Sequence, residues 1–330
     1  MSEIANAQVS QEWSRRPYVP KGTHPIETGR YLIATNEINR MYLMVKQWID
    51  NRAPGAIIYG RPRLGKSRAI DYLMHDLPFE YPKIPIFRLL CRQYKNPNEM
   101  NFFENLLEDV GHQLIFRGKA NVKRERLIKY LIEQAVVSGQ NRIVLFVDDA
   151  QRLVEIEYGW LMDIYNVLDR GGISLTCILV GQEELIHQRT AFGEARKMQI
   201  VGRFMVHEHK FTGIMTKNDL MFCMAGYDDV ACEYPEGSGW SFTRYYFPDA
   251  FAKGFRLEQC VEDLFQVFKE IRQSEGLRGP IEIPMQYVTL TIDHALRRFG
   301  INGANVDYLT KVQWEEAIKK SGYIEAERYV

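Results

Sequence analysis

"GRPRLGKS", Gly60 to Ser67, decides how the rest of the chain is read. It fits G-x-x-x-x-G-K-[ST], a spacing whose glycines let successive backbone N–H groups turn inward around a phosphate. Gly60, Arg61, Pro62, Arg63, Leu64, Gly65, Lys66, Ser67 and Arg68 form the predicted nucleotide-binding loop. Lys66 is placed to reach the β- and γ-phosphates of ATP, and Ser67 to ligate Mg²⁺. The pattern carries weight only between a strand and a helix. Both flanks comply. "GAIIYG" (55–60) is short, β-rich and ends in glycine, while "KSRAIDYLMHDL" (66–77) sets Ala69, Ile70, Leu73 and Met74 on one helical face.

Strand and helix signals alternate along the chain on either side. Residues 28–50 repeat apolar positions at helical spacing ahead of the loop. After it come a strand at 83–91, helices at 98–116 and 122–138, and the apolar run "NRIVLFVDDAQRL" (141–153). A helix at 155–169, a strand at 173–181 and a further candidate strand at 200–211 follow. Continuous apolar strands alternating with helices predict a doubly wound parallel α/β sheet. Beyond residue 213 the signals are helical. They are interrupted by an aromatic- and glycine-rich insertion at 226–255 without a clear period. The predicted organisation is a mobile leader over 1–25, an α/β nucleotide-binding domain over 26–212 and a small helical domain over 213–330.

The run "IVLFVDD" supplies the second half of the chemistry. A carboxylate ending a buried strand beside the P-loop strand can hold Mg²⁺ through water; that is Asp148. Asp149 is then the base or water-orienting group, and Gln151 is the next suspect for that task. "ISLTCILVGQEEL" places Gln182 at a strand end, between the acidic pair and the P-loop, where it can sense a γ-phosphate. A turn capping the following helix is the plainer alternative for Gln182. His207 and His209 share one face of "VHEHKF", but with no third ligand in view a surface pair is favoured over a metal site.

The P-loop, "VLFVDDAQRL", "ILVGQEEL" and a later "GRF", in this order, resemble the AAA+ ATPases, and among them the TniB/TnsC group. Members of that group are ATP-dependent regulators of DNA transposition. "GTHPIETGRYLIATNEINRM", ahead of the P-loop, is similar to the same group. The resemblance implies an AAA+ core with a helical lid and ATP-dependent assembly of a homo-oligomeric ring or filament on double-stranded DNA. It further implies coupling of a target-selector protein, in some relatives an RNA-guided complex of a CRISPR-associated transposon, to transposase subunits. Arg203 of "GRF" matches the arginine finger that acts on the neighbouring protomer's ATP; Arg196 and Arg189 are the alternatives. The loops after the second strand correspond to the region that contacts the DNA backbone in this group. They offer Arg92, Lys95, Arg117, Lys119, Lys123 and Arg124 as DNA-binding candidates.

Two departures from that pattern stand out. The group has Asp-Glu where this chain has Asp148-Asp149, and no glycine-arginine phosphate sensor follows residue 213; Arg297 and Arg298 are out of pattern. An AAA+ motor of another pathway such as secretion shares the core motifs. A monomeric P-loop small-molecule kinase is disfavoured by the tandem acids and the separate helical domain.

Composition sets the outer limits. Lysine plus arginine equals aspartate plus glutamate at 42 each, so any DNA-binding surface must be local rather than a global basic field. Five cysteines without a C-x-x-C pair suit free thiols in a reducing compartment. No run approaches eighteen apolar residues, and the expectation is a cytoplasmic protein without membrane contact.

Overall fold

The computed structural model describes residues 15–329. Two compact units divide the described residues: Ile38–Phe211 forms one, and residues 15–37 with 212–329 form the other.

The first unit is built on five strands: β1 (Gly55–Tyr59), β2 (Ile86–Leu90), β3 (Arg142–Asp148), β4 (Ser174–Gly181) and β5 (His207–Lys210). Their spatial order is β2-β3-β4-β1-β5, and every pairing is parallel. Alternation along each strand divides the core into two layers. Ile143, Leu145 and Val147 of β3 pack with the helices Glu99–Asp109, Ala120–Ser138 and Glu155–Arg170. Val144 and Phe146 face the opposite way, with Ala69, Ile70 and Leu73 of the helix Lys66–Glu80. Strands buried on both faces need apolar residues at every position, which explains the unbroken runs in the sequence.

Three expectations are corrected here. The strand bearing Asp148 is not beside the P-loop strand: β4 lies between them, hydrogen-bonded to both. The ends are nevertheless level, because Tyr59 pairs with Gly181 and Val180 with Asp148. The candidate strand over 200–211 divides into a helix, Met198–Phe204, and the four residues of β5. Ile200 and Phe204, four apart and both buried, define that helix's inner face, so Arg203 sits on a helix. Finally, the single helical period over 28–50 is broken at Gly29, whose φ of 66° ends a short helix, Pro25–Thr28, before Asn36–Asp50 begins.

The second unit has four longer helices, Lys217–Asp228, Val261–Ser274, Met285–Phe299 and Lys311–Ser321. Ile26 and Ile33 belong to their core cluster. Of the leader expected over 1–25, residues 1–14 lie outside the described residues. His24 is fully buried, and its ring stacks on Tyr245 at 4.5 Å and meets Tyr234, Phe242 and Tyr246 edge-on. Burial, with help from Arg16, lowers the His24 pKa to about 4, so the imidazole is neutral and can sit among aromatic rings. The insertion at 226–255 therefore packs its aromatics inward: Trp240, Phe242, Tyr245, Tyr246 and Phe247 are all buried. Rings buried in the core in this way are not available to stack on nucleic-acid bases. No helix among the described residues is long and apolar enough to cross a membrane.

Candidate nucleotide-binding site

The P-loop leaves β1 and enters the helix Lys66–Glu80 through backbone that few side chains could follow. A Cβ on Gly60 would lie 2.3 Å from the Phe211 carbonyl oxygen, so this position is held to glycine by contact. Gly65 has φ 104° and caps the helix without a side-chain hydrogen bond, leaving the first-turn N–H groups turned to the loop. Arg63 holds φ 66°, an uncommon value for a residue with a side chain. Leu64 points the other way, buried in the core layer with Phe211. It anchors the loop from below.

Lys66 folds over the loop, its Nζ donating to the carbonyls of Gly60 at 2.8 Å and Arg61 at 2.6 Å. Burial lowers its pKa to about 8, against the pull of Asp148, Asp149, Glu183 and Glu184. Ser67 Oγ donates to Asp148 Oδ1 at 3.3 Å, and the Asp149 N–H donates to the same oxygen at 3.0 Å. A hydroxyl and a carboxylate this close, backed by an ammonium, are the hard oxygen donors and the cation that a Mg²⁺–triphosphate needs. The residues fit the group. Ser67 and Asp148 would hold the metal, and Lys66 with the loop N–H groups would hold the phosphates.

Asp149 has φ 55°, a left-handed conformation that turns its carboxylate out of the strand. Gln151 Nε2 donates to Asp149 Oδ1 at 3.2 Å, and Arg152 reaches Oδ2 at 3.2 Å. Gln151 Oε1 in turn accepts the Gln182 N–H at 3.1 Å, joining the ends of β3 and β4. A Cβ on Gly181 would come within 2.3 Å of that oxygen, so the glycine of "VGQ" makes room for Gln151.

Lys66, Ser67, Asp148 and Asp149 thus meet, and Gln182 joins them through its backbone. Arg68 pairs loosely with Asp71 at 3.8 Å. Arg203 does not join them: its guanidinium packs on the helix Glu155–Arg170, 3.4 Å from Met162 Sδ and 5.3 Å from the Tyr165 ring centre. Arg189 is paired with Glu208 at 2.6 Å, and Arg196 is exposed with φ 57°. The sequence reading missed Arg88, which bridges Asp148 and Asp71. A lone cation in the apolar strand "IFRLL" was the available signal.

The DNA-binding candidates separate into two groups. Lys95, Arg117 and Lys119 are exposed. Arg92 is engaged by Asn105, Glu108 and Asp109, and Arg124 by Glu99 and Asp163. Lys123 is excluded: its side chain is 1% exposed and its ammonium is paired with Glu104. It occupies the first position of the buried stripe Lys123, Leu127, Leu131, Ala135, which faces inward at helical spacing.

Residues 50–188 match the family model described as an AAA domain. The ORC2 protein of Aeropyrum pernix in its ADP form is similar to 95% of this chain over 73% of its own, with 11% identity and a TM-score of 0.55. The same protein in its ADPNP–ADP complexes is similar to 90% of this chain over 71% of its own, with 11% identity and a TM-score of 0.51. The fold is that of an AAA+ P-loop NTPase. At such identity the solved structures speak for the fold, while the AAA domain match spans the P-loop, both acids of β3 and Gln182. No curated protein matches the chain.

Proposed function

We propose that this protein binds ATP with Mg²⁺ at the P-loop, hydrolyses it, and in its ATP-bound state assembles into a ring or filament on duplex DNA. In that state it would link a target selector, in one form an RNA-guided complex, to the transposase of a mobile element. One observation carries the nucleotide half: Lys66, Ser67 and Asp148 come together at the level ends of β1, β4 and β3. The nucleotide complexes of the ORC2 protein support it. The DNA half rests on the TniB/TnsC resemblance and on three exposed cations, Lys95, Arg117 and Lys119.

When bound, Mg²⁺ would neutralise charge on the β- and γ-phosphate oxygens. Lys66 would exchange the Gly60 and Arg61 carbonyls for phosphate oxygens, and Asp149, steadied by Gln151, would orient the attacking water. Gln182 would report the γ-phosphate to the end of β4. With the Arg203 guanidinium packed on the helix Glu155–Arg170, we assign it to the neighbouring protomer's site. The cytoplasm would be the place of action.

Negative-stain images with an ATP analogue and duplex DNA test the reading. Rings or filaments should form with both ligands present and fail with Lys66→Ala. Monomers under every condition would sink the assembly half, and normal nucleotide affinity in Lys66→Ala would remove the P-loop.

A further inference from the structure

Arg88 interrupts the apolar strand β2, where it pairs in register with Phe146 of β3. Its guanidinium is forked between two carboxylates: NH2 binds Asp148 Oδ2, and NH1 binds Asp71 Oδ1. Asp71 lies four residues after Ser67 on the helix Lys66–Glu80, on the same face. One planar cation therefore ties the acid at the end of β3 to the helix that carries the phosphate-binding loop.

The two oxygens of Asp148 are divided by this arrangement. Oδ2 is taken by Arg88, and Oδ1 is left with Ser67 Oγ and the Asp149 N–H. The Asp148 side chain is 5% exposed and that of Arg88 28%, so the pair is largely withdrawn from water. A carboxylate with one oxygen fixed by a guanidinium cannot rotate freely, and its other oxygen keeps one direction. We propose that Arg88 is a positioning residue for the Mg²⁺ seat, anchored by Asp71, and that it holds Asp148 Oδ1 toward Ser67. The inference rests on the nucleotide reading above. Outer partners of metal-binding carboxylates commonly govern metal affinity by about 10- to 100-fold.

The test compares affinity for a fluorescent ATP analogue in EDTA and in Mg²⁺, which needs no turnover. The parent should gain affinity when Mg²⁺ is added. Arg88→Gln should keep the parent's affinity in EDTA and lose about tenfold of the Mg²⁺-dependent gain. Arg88→Lys restores the charge but cannot span both carboxylates, so it should fall between the two. Asp71→Asn should lose less than Arg88→Gln, in the same direction. Mn²⁺ paramagnetic resonance with nucleotide present should rank the variants alike. An unchanged or larger Mg²⁺ gain in Arg88→Gln overturns the proposal, and so does an equal loss in EDTA, which would mark Arg88 as support for the fold alone. A parent that binds the analogue in neither condition is a different result: it removes the nucleotide reading itself.

Discussion

Raising the pH should release nucleotide from this protein in a range where the fold still holds. Burial brings the Lys66 amine down from 10.5 to about 8, while the carboxylates of Asp148, Asp149, Glu183 and Glu184 pull against that shift. Only the protonated amine pairs with phosphate oxygens, and bound phosphates favour the charged form. The apparent dissociation constant should therefore grow as one plus ten to the power of pH minus about 8. That factor is about 1.1 at pH 7 and about 11 at pH 9, a weakening of roughly tenfold.

Stability of the protein without nucleotide moves in the opposite sense. Between about 8 and 10.5 the unfolded chain holds more protons at Lys66 than the folded chain does. The contribution of this group to unfolding free energy then rises with pH through that window, and the cost of its buried charge is fully present below it. Titration with a fluorescent ADP at constant ionic strength, from pH 6.5 to about 9.5, measures the first effect. Lys66→Arg is the control, since a guanidinium does not lose its proton there; its weaker affinity should stay flat. Constant affinity in the parent through pH 9, or an equal fall in Lys66→Arg, would refute the argument.

Asp149→Asn should bind ATP like the parent and hydrolyse it at least about a hundredfold more slowly in single-turnover assays; parental turnover would pass the task to Gln151. Replacing Lys95 and Lys119 together with alanine should weaken duplex binding and flatten its dependence on salt, whereas an unchanged slope places the DNA surface elsewhere. Lys123→Met should leave that slope alone and instead lower stability by roughly 1–3 kcal/mol in urea titrations, because it strands Glu104 beside an apolar stripe. Arg203→Ala should bind ATP yet fail to hydrolyse it in the assembly, and mixing it with Lys66→Ala should restore part of the activity; co-assembly without any recovery excludes action across the protomer interface.

What could be read from the sequence was local in the chain. The P-loop needs eight consecutive residues and its two flanks, and the acids of β3 end an apolar run that only a doubly buried strand would show. Sheet order is not local. Nothing in the sequence says that β4 inserts between β1 and β3, and the Arg88 bridge depends on a register between β2 and β3 that no linear pattern encodes. Lys123 departs from the expected solvent-facing position for a different reason. "NVKRER" reads as a solvated charge run, yet the stripe through Leu127, Leu131 and Ala135 was already legible and includes position 123. The insertion at 226–255 showed no period because its partners are distant. His24 supplies the surface on which its rings converge.

The partners within the site bear on what the nucleotide is for. Lys66 is satisfied by two loop carbonyls, Asp148 by Arg88, and Asp149 by both Gln151 and Arg152. Each group that the proposed chemistry needs must therefore give up or share an existing partner when ATP and water take their places. Asp149 would lose negative charge as it draws the proton from water, and Gln151 and Arg152 favour its resting carboxylate, which would raise the barrier to hydrolysis more than the barrier to binding. Against the glutamate that the TniB/TnsC resemblance implies at this position, the shorter Asp149 would act in the same direction, since an error of about 1 Å in placing the water can cost roughly a hundredfold. On the proposed function, a site so arranged would bind ATP more readily than it hydrolyses it. That is the behaviour required if the bound state is the signal and hydrolysis only ends it.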